Sequence, residues 1–272
     1  MSGKVSEVPG DHGPAWIEGP ATALNWLTIL PVRGATAFDR ITGQRVVASL
    51  PFIGFIFGSW AALLGWALHA TGLPSLLVAV LVIISCEVIN RCMHLDGLSD
   101  VFDALGSYSP PKKAQEIIAD PATGLMGMTA AFFSLTLRIV SLQLILDAQQ
   151  YWLLIPGAVA GRIIALSAVH TSRYPMRSTG FGPMQVGTVP TRWILRWQAA
   201  AAIVFLPLLW LTSWSYALGY VVIMLLAGAL MWTYISHWQR RFAGLNGDTT
   251  GAAVHLSTTL CMLLGACWVV WF

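Results

Sequence analysis

Charged residues are scarce in this sequence: they make up 10% of its 272 positions, against about 25% in an ordinary soluble domain. Hydrophobic residues account for 56%. A water-soluble surface cannot be built from such a composition, so the chain is predicted to lie in a lipid bilayer. The formal net charge is only +3, which gives no basis for a nucleic-acid partner.

Cysteine is also rare, and its spacing excludes the common zinc and redox motifs. Cys86, Cys92, Cys261 and Cys267 lie in or beside apolar runs and form no C-x-x-C pair, so we interpret them as small buried residues.

Residues 1–20 lack the basic start, apolar stretch and cleavage site of a signal peptide and are predicted to form a flexible tail. Residues 21–272 are predicted to form one integral-membrane domain, because no long polar linker interrupts them.

Long apolar runs dominate the remainder of the chain. Each is near the roughly 20 residues that cross a hydrocarbon core, and without polar alternation each favours a helix over a barrel strand. The predicted fold is therefore all-α and polytopic, with about seven transmembrane helices. The segment Ala21–Val32 is too short to span and is closed by Pro31, which predicts an interfacial or re-entrant helix. The runs lie near 46–71, 74–94, 124–146, 150–170, 196–214, 216–238 and 250–272.

The Lys and Arg residues that lie between these spans occur in alternate connections. The turns near 71–74, 147–149 and 213–215 contain neither residue, whereas the other connections and the N-terminal segment are basic. By the positive-inside rule the basic side is cytoplasmic, which predicts a multi-pass protein of the cell (inner) membrane.

Three aspartates follow the second apolar run. Asp96, Asp100 and Asp103 are spaced i, i+4 and i+7, which places them on one face of a helix. Like charges this close repel each other, so near a membrane they favour a bound cation. Oxygen ligands without a cysteine or histidine pair indicate Mg²⁺, which completes its coordination with water and substrate phosphate. A solvated acidic helix end is the alternative interpretation.

Other polar groups fall on the same predicted face, each with a structural alternative. Asn246, Asp248 and Thr249 lie between glycines before the last span, where a helix cap would also explain them. His94 and Asp120 flank the aspartate segment and are equally compatible with structural roles. Charged groups inside spans are costly and should face a polar interior. Candidate anion-binding or buried basic groups are Arg138, Arg162, Arg173 and Arg177.

The string from His94 to Asp100, followed by Asp103, resembles the signature of the cobalamin synthase family, the adenosylcobinamide-GDP ribazoletransferases. The similarity continues to the last motif, Gly247-Asp248-Thr249, although Ala104 and Pro121 depart from the usual pattern and Leu245-Asn246 stand where Tyr-Thr is typical.

The resemblance implies a transferase that joins adenosylcobinamide-GDP to α-ribazole or its 5′-phosphate, releases GMP and depends on Mg²⁺. It implies Asp96, Asp100, Asp103 and Asp248 as catalytic residues, with the first three as metal ligands. The implied substrate-binding residues are His94, Asp120, Arg138, Arg162, Arg177, Asn246 and Thr249. A homo-oligomer, or association with other enzymes of the pathway, stays open.

Two other functions remain as alternatives. A CDP-alcohol phosphatidyltransferase also carries an aspartate-rich helix, but its Ala-Arg pair is missing here, because Asp100 and Val101 follow Ser99. A polytopic transporter would place its ionisable groups near the bilayer midplane, whereas this chain places most of them in loops.

Overall fold

The computed structural model describes residues 8, 10–170, 173–178 and 181–272. These residues fold into helices, which confirms the predicted all-α polytopic class. A 3₁₀ turn at Tyr151–Leu153 precedes the eighth helix. The helices are α1 Ala15–Leu27, α2 Arg40–Ala48, α3 Leu50–His69, α4 Ser75–Ile89, α5 Met93–Gly106, α6 Pro111–Ile118, α7 Leu125–Asp147, α8 Leu154–Ala168, α9 Phe181–Gln185, α10 Thr191–Thr212, α11 Trp214–Arg241 and α12 Gly247–Trp271.

Six helical segments of the described chain are long and apolar enough to span a membrane: α3, α7, the 3₁₀ turn with α8, α10, α11 and α12. The predicted span at 74–94 is interrupted. Its helix α4 ends at Ile89, and Arg91 and Cys92 adopt left-handed backbone angles with φ of 59° and 54°. The chain then turns by 88° into α5. Counting α4 with α5 as one broken span gives seven, but α5 runs across the direction of α4 and is not itself a span.

Helix α8 lies at the centre of the bundle, and glycines allow its neighbours to approach closely. A Cβ added at Gly54 or Gly58 of α3 would lie 2.8 Å from a backbone oxygen of α8. A Cβ at Gly161 of α8 would lie 2.8 Å from the Cα of Thr258 in α12. Small residues at such contacts let helices pack tightly in lipid, where van der Waals contact replaces the hydrophobic effect as a main source of association. Helices α3, α8 and α12 therefore form the inner layer.

Helix α1 begins at Ala15, inside the segment 1–20 that the composition predicts as a tail, and it ends at Leu27. The short helix expected at Ala21–Val32 is therefore present but displaced toward the N-terminus. With 13 residues it is too short to span. Residues 1–7 and 9 lie outside the described part of the chain, so the prediction of a flexible tail is untested there.

A charged network fastens the segment before α1 to α2. The two ring nitrogens of His12 lie 2.9 Å from Glu18 Oε1 and 2.9 Å from Asp39 Oδ2. Arg45 Nη1 donates to Glu18 Oε1 at 2.5 Å. These hydrogen bonds, first to Glu18 and then to Asp39, raise the pKa of His12 above its ordinary value of 6.5. The network is thus strongest when His12 is protonated.

We expect the attachment of this segment to weaken as pH rises. A histidine whose pKa is raised by folding contributes stability that is fully present below about pH 6.5 and is lost as pH passes the raised value. Thermal unfolding in detergent should therefore show a larger destabilising effect of His12→Gln at pH 6 than at pH 9. A substitution effect that is the same at both pH values would contradict this assignment.

Candidate functional site

The polar connections predicted to share one face meet at one end of the bundle. The segment 173–178 pairs with the residue just before α12: Met176 N donates to Leu245 O at 2.8 Å, and Leu245 N donates to Tyr174 O at 2.9 Å. The connection after α5 reaches the same place, because Gln115 Nε2 donates to Phe242 O at 2.7 Å. Three segments far apart in sequence therefore surround the start of α12.

Helix α5 crosses the first turn of α12 at Gly97. A Cβ added at this position would lie 2.6 Å from the backbone oxygen of Asp248, a distance that real Cβ atoms do not tolerate. Glycine at position 97 thus allows the two helix backbones to touch. The contact brings Asp248 to the carboxylates of Asp96 and Asp100, which sequence spacing alone could not show.

Asp96, Asp100 and Asp248 meet where α5 and α12 cross, and we call this group the carboxylate crossing. Their carboxylates influence each other. Asp96 is exposed, whereas Asp100 and Asp248 are half-buried. Burial, followed by the charges of Asp96, Asp248 and Asp103, raises the pKa of Asp100 to about 7. Among the described residues no Lys or Arg forms an ion pair with these groups. The site has concentrated negative charge that a cation would relieve.

Asp103 is held by backbone amides, and its role as a metal ligand stays a prediction. Its carboxylate accepts hydrogen bonds from the backbone N–H of Gly124 at 2.6 Å and of Gly127 at 2.8 Å. These amides lie at the start of α7, whose N-terminal donors need partners. A Cβ at Gly127 would lie 2.4 Å from Asp103 Oδ2. Asp103 therefore fixes α7 against α5, with both oxygens already in use.

This assignment predicts the behaviour of Asp103→Asn. An amide offers one acceptor oxygen where two backbone donors need one each, and leaving a donor unpaired costs about 1–3 kcal/mol. We expect the variant to unfold at lower temperature, with turnover still saturating at the wild-type Mg²⁺ concentration. A shifted Mg²⁺ requirement at unchanged stability would instead indicate a metal ligand.

The side chains at the crossing can be compared with the ligands that Mg²⁺ requires. No three His, Cys, Asp or Glu side chains of the described ranges converge as a ready metal centre. Mg²⁺, however, is commonly held by one or two carboxylates together with water and substrate phosphate. Asp96, Asp100 and Asp248 provide hard oxygen ligands of this kind at one helix crossing. The residues fit a cation that completes its coordination with a phosphorylated substrate.

Asn246 and Thr249, predicted as substrate-binding residues, form the cap of α12. Asn246 Oδ1 accepts from Thr249 N at 3.0 Å, and Thr249 Oγ1 accepts from Asn246 N at 2.8 Å. This is a reciprocal capping box. Asn246 Nδ2 also donates to Asp248 Oδ2 at 2.7 Å and so orients that carboxylate. Both residues support the site, and the Asn-x-x-Thr spacing was the sequence signal for this role.

Arg138 and Arg162 lie inside the bundle, apart from the carboxylate crossing. Arg138 Nη1 donates to Glu87 Oε1 at 2.6 Å, and Arg162 Nη1 donates to Thr258 Oγ1 at 2.5 Å. His94 is buried at the start of α5. The expectation that charged residues of the spans face a polar interior is confirmed. The partners of these arginines on α12 are His255, Thr258 and Thr259. They were not predicted from the sequence, although they recur at helical spacing.

Asp120 and Arg177 lie at the surface of the same end. Asp120 Oδ1 accepts from Ala122 N at 3.0 Å, which stabilises a local turn. Arg177 is exposed and follows Met176, which bonds to Leu245. Arg173, by contrast, is buried, packs 4.4 Å from the ring of Trp232 and donates to Ala168 O at 3.1 Å. Gly180, which the resemblance also matches in this loop, lies outside the residues that the structure describes.

Together these features define a polytopic helical membrane protein with a carboxylate-rich, phosphate-compatible site at one end of its bundle. Residues 19–266 match the family model for cobalamin-5-phosphate synthase, and the chain belongs to that family. Membership favours the first sequence interpretation over the phosphatidyltransferase and transporter alternatives.

Curated relatives cover almost the whole chain. A protein of Corynebacterium diphtheriae is 46% identical over 267 residues, which is 98% of this chain and 97% of the relative. One from Corynebacterium efficiens is 45% identical over 264 residues, covering 96% and 95%. A Frankia casuarinae protein is 29% identical over 265 residues, covering 90% and 93%. All three are named adenosylcobinamide-GDP ribazoletransferase. No solved structure matches the chain.

Proposed function

We propose that this chain transfers the cobinamide phosphate of adenosylcobinamide-GDP to α-ribazole or its 5′-phosphate and releases GMP. The observation that carries the proposal is the crossing of α5 and α12, which gathers Asp96, Asp100 and Asp248 at the end where the polar loops meet. The relatives that bear this activity in their names align over nearly the full length. A pyrophosphate substrate suits an acidic site that can share a divalent cation with it.

One or two of the carboxylates of Asp96, Asp100 and Asp248 would hold Mg²⁺, which when bound would neutralise charge on the pyrophosphate and on the leaving GMP. A ribose hydroxyl of the acceptor forms a new O–P bond to the phosphorus that carries cobinamide. The P–O bond to the GMP phosphate breaks, and GMP leaves with that electron pair. A carboxylate of the crossing would accept the hydroxyl proton, provided that the bound acceptor places its hydroxyl within hydrogen-bond reach of that carboxylate.

Positioning is the main contribution of the protein in such a transfer. Asn246 holds Asp248 through its side-chain amide, and Asp103 holds the start of α7 beside α5. Arg177 is the cation we assign to the phosphates of the nucleotide, since its loop is hydrogen-bonded to the residue before Asn246. The roles of His94 and Asp120 as substrate ligands stay predictions.

We further propose that this end of the bundle faces the cytoplasm in the cell (inner) membrane. The basic connections occur on the side of the carboxylate crossing, and the turns at the other end lack Lys and Arg. Both nucleotide substrates could then reach the site without crossing lipid. Association with other enzymes of the pathway would also take place on this face.

The direct test combines the purified full chain with Mg²⁺, adenosylcobinamide-GDP and α-ribazole. We expect a cobalamin product and GMP in equal amounts, with no product when EDTA removes the metal. Release of GMP without the acceptor becoming attached would indicate a hydrolase, and no consumption of adenosylcobinamide-GDP by folded protein would overturn the proposal. Full turnover in EDTA would contradict the Mg²⁺ requirement but not the transferase activity.

A further inference from the structure

The helix bundle contains a cavity apart from the carboxylate crossing. A cavity of about 120 Å³ lies between α3, α4, α7, α8, α11 and α12, and none of Asp96, Asp100, Asp103 and Asp248 lines it. On α12 the lining residues run from His255 to Val269. At 1.5 Å per residue this stripe is roughly 20 Å long. The cavity is therefore narrow and elongated along the bundle.

One end of the cavity carries excess positive charge. Arg138, Arg162 and Glu87 all line it, and Glu87 is paired with Arg138 at 2.6 Å. Arg162 is only 4% exposed and has no carboxylate partner among the described residues. Its Nε makes no hydrogen bond. An unpaired charge is expensive at this depth, so an anionic group beside Arg162 would be strongly favoured.

Most of the remaining lining is apolar, and residues such as Val82, Ile145, Leu154 and Met262 form the walls. Besides Arg162 Nε, the buried polar atoms without a hydrogen bond among the described lining residues belong to Asn90, Tyr220, His255 and Trp268. A hydrocarbon chain needs no hydrogen-bond partners along the apolar part of this wall. The shape, the charge and the lining together fit a linear apolar chain that ends in an anionic oxygen group.

We propose that this cavity binds one hydrocarbon chain of an anionic lipid, with its acidic head against Arg162 and its chain along α12. The head is a carboxylate in a free fatty acid or a phosphate in a phospholipid, and both supply the same negatively charged oxygens. The cavity is lined by His94 but by none of the four aspartates of the transfer site, and the proposal does not rest on the proposed function. Its occupant would stabilise the inner helices α3, α8 and α12.

Two glycines provide a way to fill the cavity without disturbing the fold. Gly157 and Gly265 both line it, and a Cβ at either position would meet no atom within 4 Å. Leucine at position 265 should therefore occupy the space of the chain. Gly228 is a matched control, because its Cβ would also meet no atom within 4 Å but it does not line this cavity.

The test uses cis-parinaric acid, a naturally fluorescent linear fatty acid, with the full chain in detergent. Energy transfer from tryptophan to the probe should saturate for wild type and for Gly228→Leu. Gly265→Leu should abolish the saturable signal, and Arg162→Gln should weaken binding at least about tenfold. Thermal unfolding of each variant shows whether a loss of binding results from misfolding. If Arg162→Gln does not fold, Gly265→Leu still tests the proposal.

Competition with unlabelled ligands distinguishes a free fatty acid from a phospholipid, and both from the acceptor substrate. Displacement by palmitate but not by phosphatidylglycerol supports a free fatty acid, and the reverse supports a phospholipid. Methyl palmitate, which lacks the charge, should compete poorly. Equal binding by wild type and a folded Gly265→Leu variant would overturn the proposal. Displacement by α-ribazole but by neither lipid would also overturn it, because the cavity would then belong to the acceptor.

Discussion

Asp100→Asn is expected to lower GMP release by about 10²–10³-fold, the range typical for loss of one preorganised electrostatic group in an active site. Asp100 lies between Asp96 and Asp103 on α5 and near Asp248 on α12, and its carboxylate is half-buried. Asparagine keeps the size of the side chain but removes the charge that would attract the cation and the capacity to accept a proton. The measurement is initial GMP release as a function of Mg²⁺ concentration.

The control is Asp147→Asn, which removes the same charge from an exposed position at the other end of α7. Its activity should equal that of wild type. Membrane insertion should be unchanged in both variants, since neither carboxylate forms an ion pair in the described structure. Without a cation, Asp100→Asn should be at least as stable as wild type, because it removes a carboxylate that burial and its acidic neighbours disfavour. Normal turnover by a folded Asp100→Asn variant would remove the carboxylate crossing from the proposed mechanism.

Gly97→Ala should disrupt the crossing of α5 and α12. The added Cβ would lie 2.6 Å from a backbone oxygen of α12, so the two helices must separate. Overpacking of this kind typically costs about 1–3 kcal/mol. Separation would also move Asp248 away from Asp96 and Asp100, and we expect activity to fall at least about tenfold. Thermal unfolding and GMP release report the two effects independently.

Gly251→Ala is the matched control, because it lies in the same helix contact. Its Cβ would be 3.5 Å from the Cα of His94, an ordinary contact distance. Alanine favours a helix over glycine by up to about 1 kcal/mol, so this variant should be as stable as wild type or slightly more stable. Equal losses of activity and stability in the two variants would show that α5 and α12 do not depend on close contact at Gly97.

The local features of the site could be predicted from sequence because they follow helix periodicity. The spacing of Asp96, Asp100 and Asp103 placed them on one helix, and α5 includes all three. Their different environments could not be predicted, since they depend on contacts with distant segments. Asp103 bonds to Gly124 and Gly127 in α7, and Asp248 reaches the others only through the backbone contact at Gly97.

The break between α4 and α5 shows a similar limit. Hydropathy predicts one span at 74–94 because the residues remain apolar through Ile89. The left-handed backbone at Arg91 and Cys92 ends the helix without a glycine or proline to mark it. Non-glycine residues seldom adopt this conformation, so composition offers no signal. The surrounding packing, which sequence periodicity does not report, must stabilise this turn.

The 88° turn has a consequence for how α5 tolerates mutation. A helix that lies across the end of a bundle has one face toward water and the opposite face toward the apolar interior. Asp96 on one side is exposed, whereas Leu98 and Val101 are fully buried. The carboxylates of the site and the residues that seal the interior therefore lie on opposite faces of the same 14-residue helix. Substitutions on the face that carries Asp96 should change turnover alone. Substitutions on the face that carries Leu98 and Val101 should admit water to the interior of the bundle.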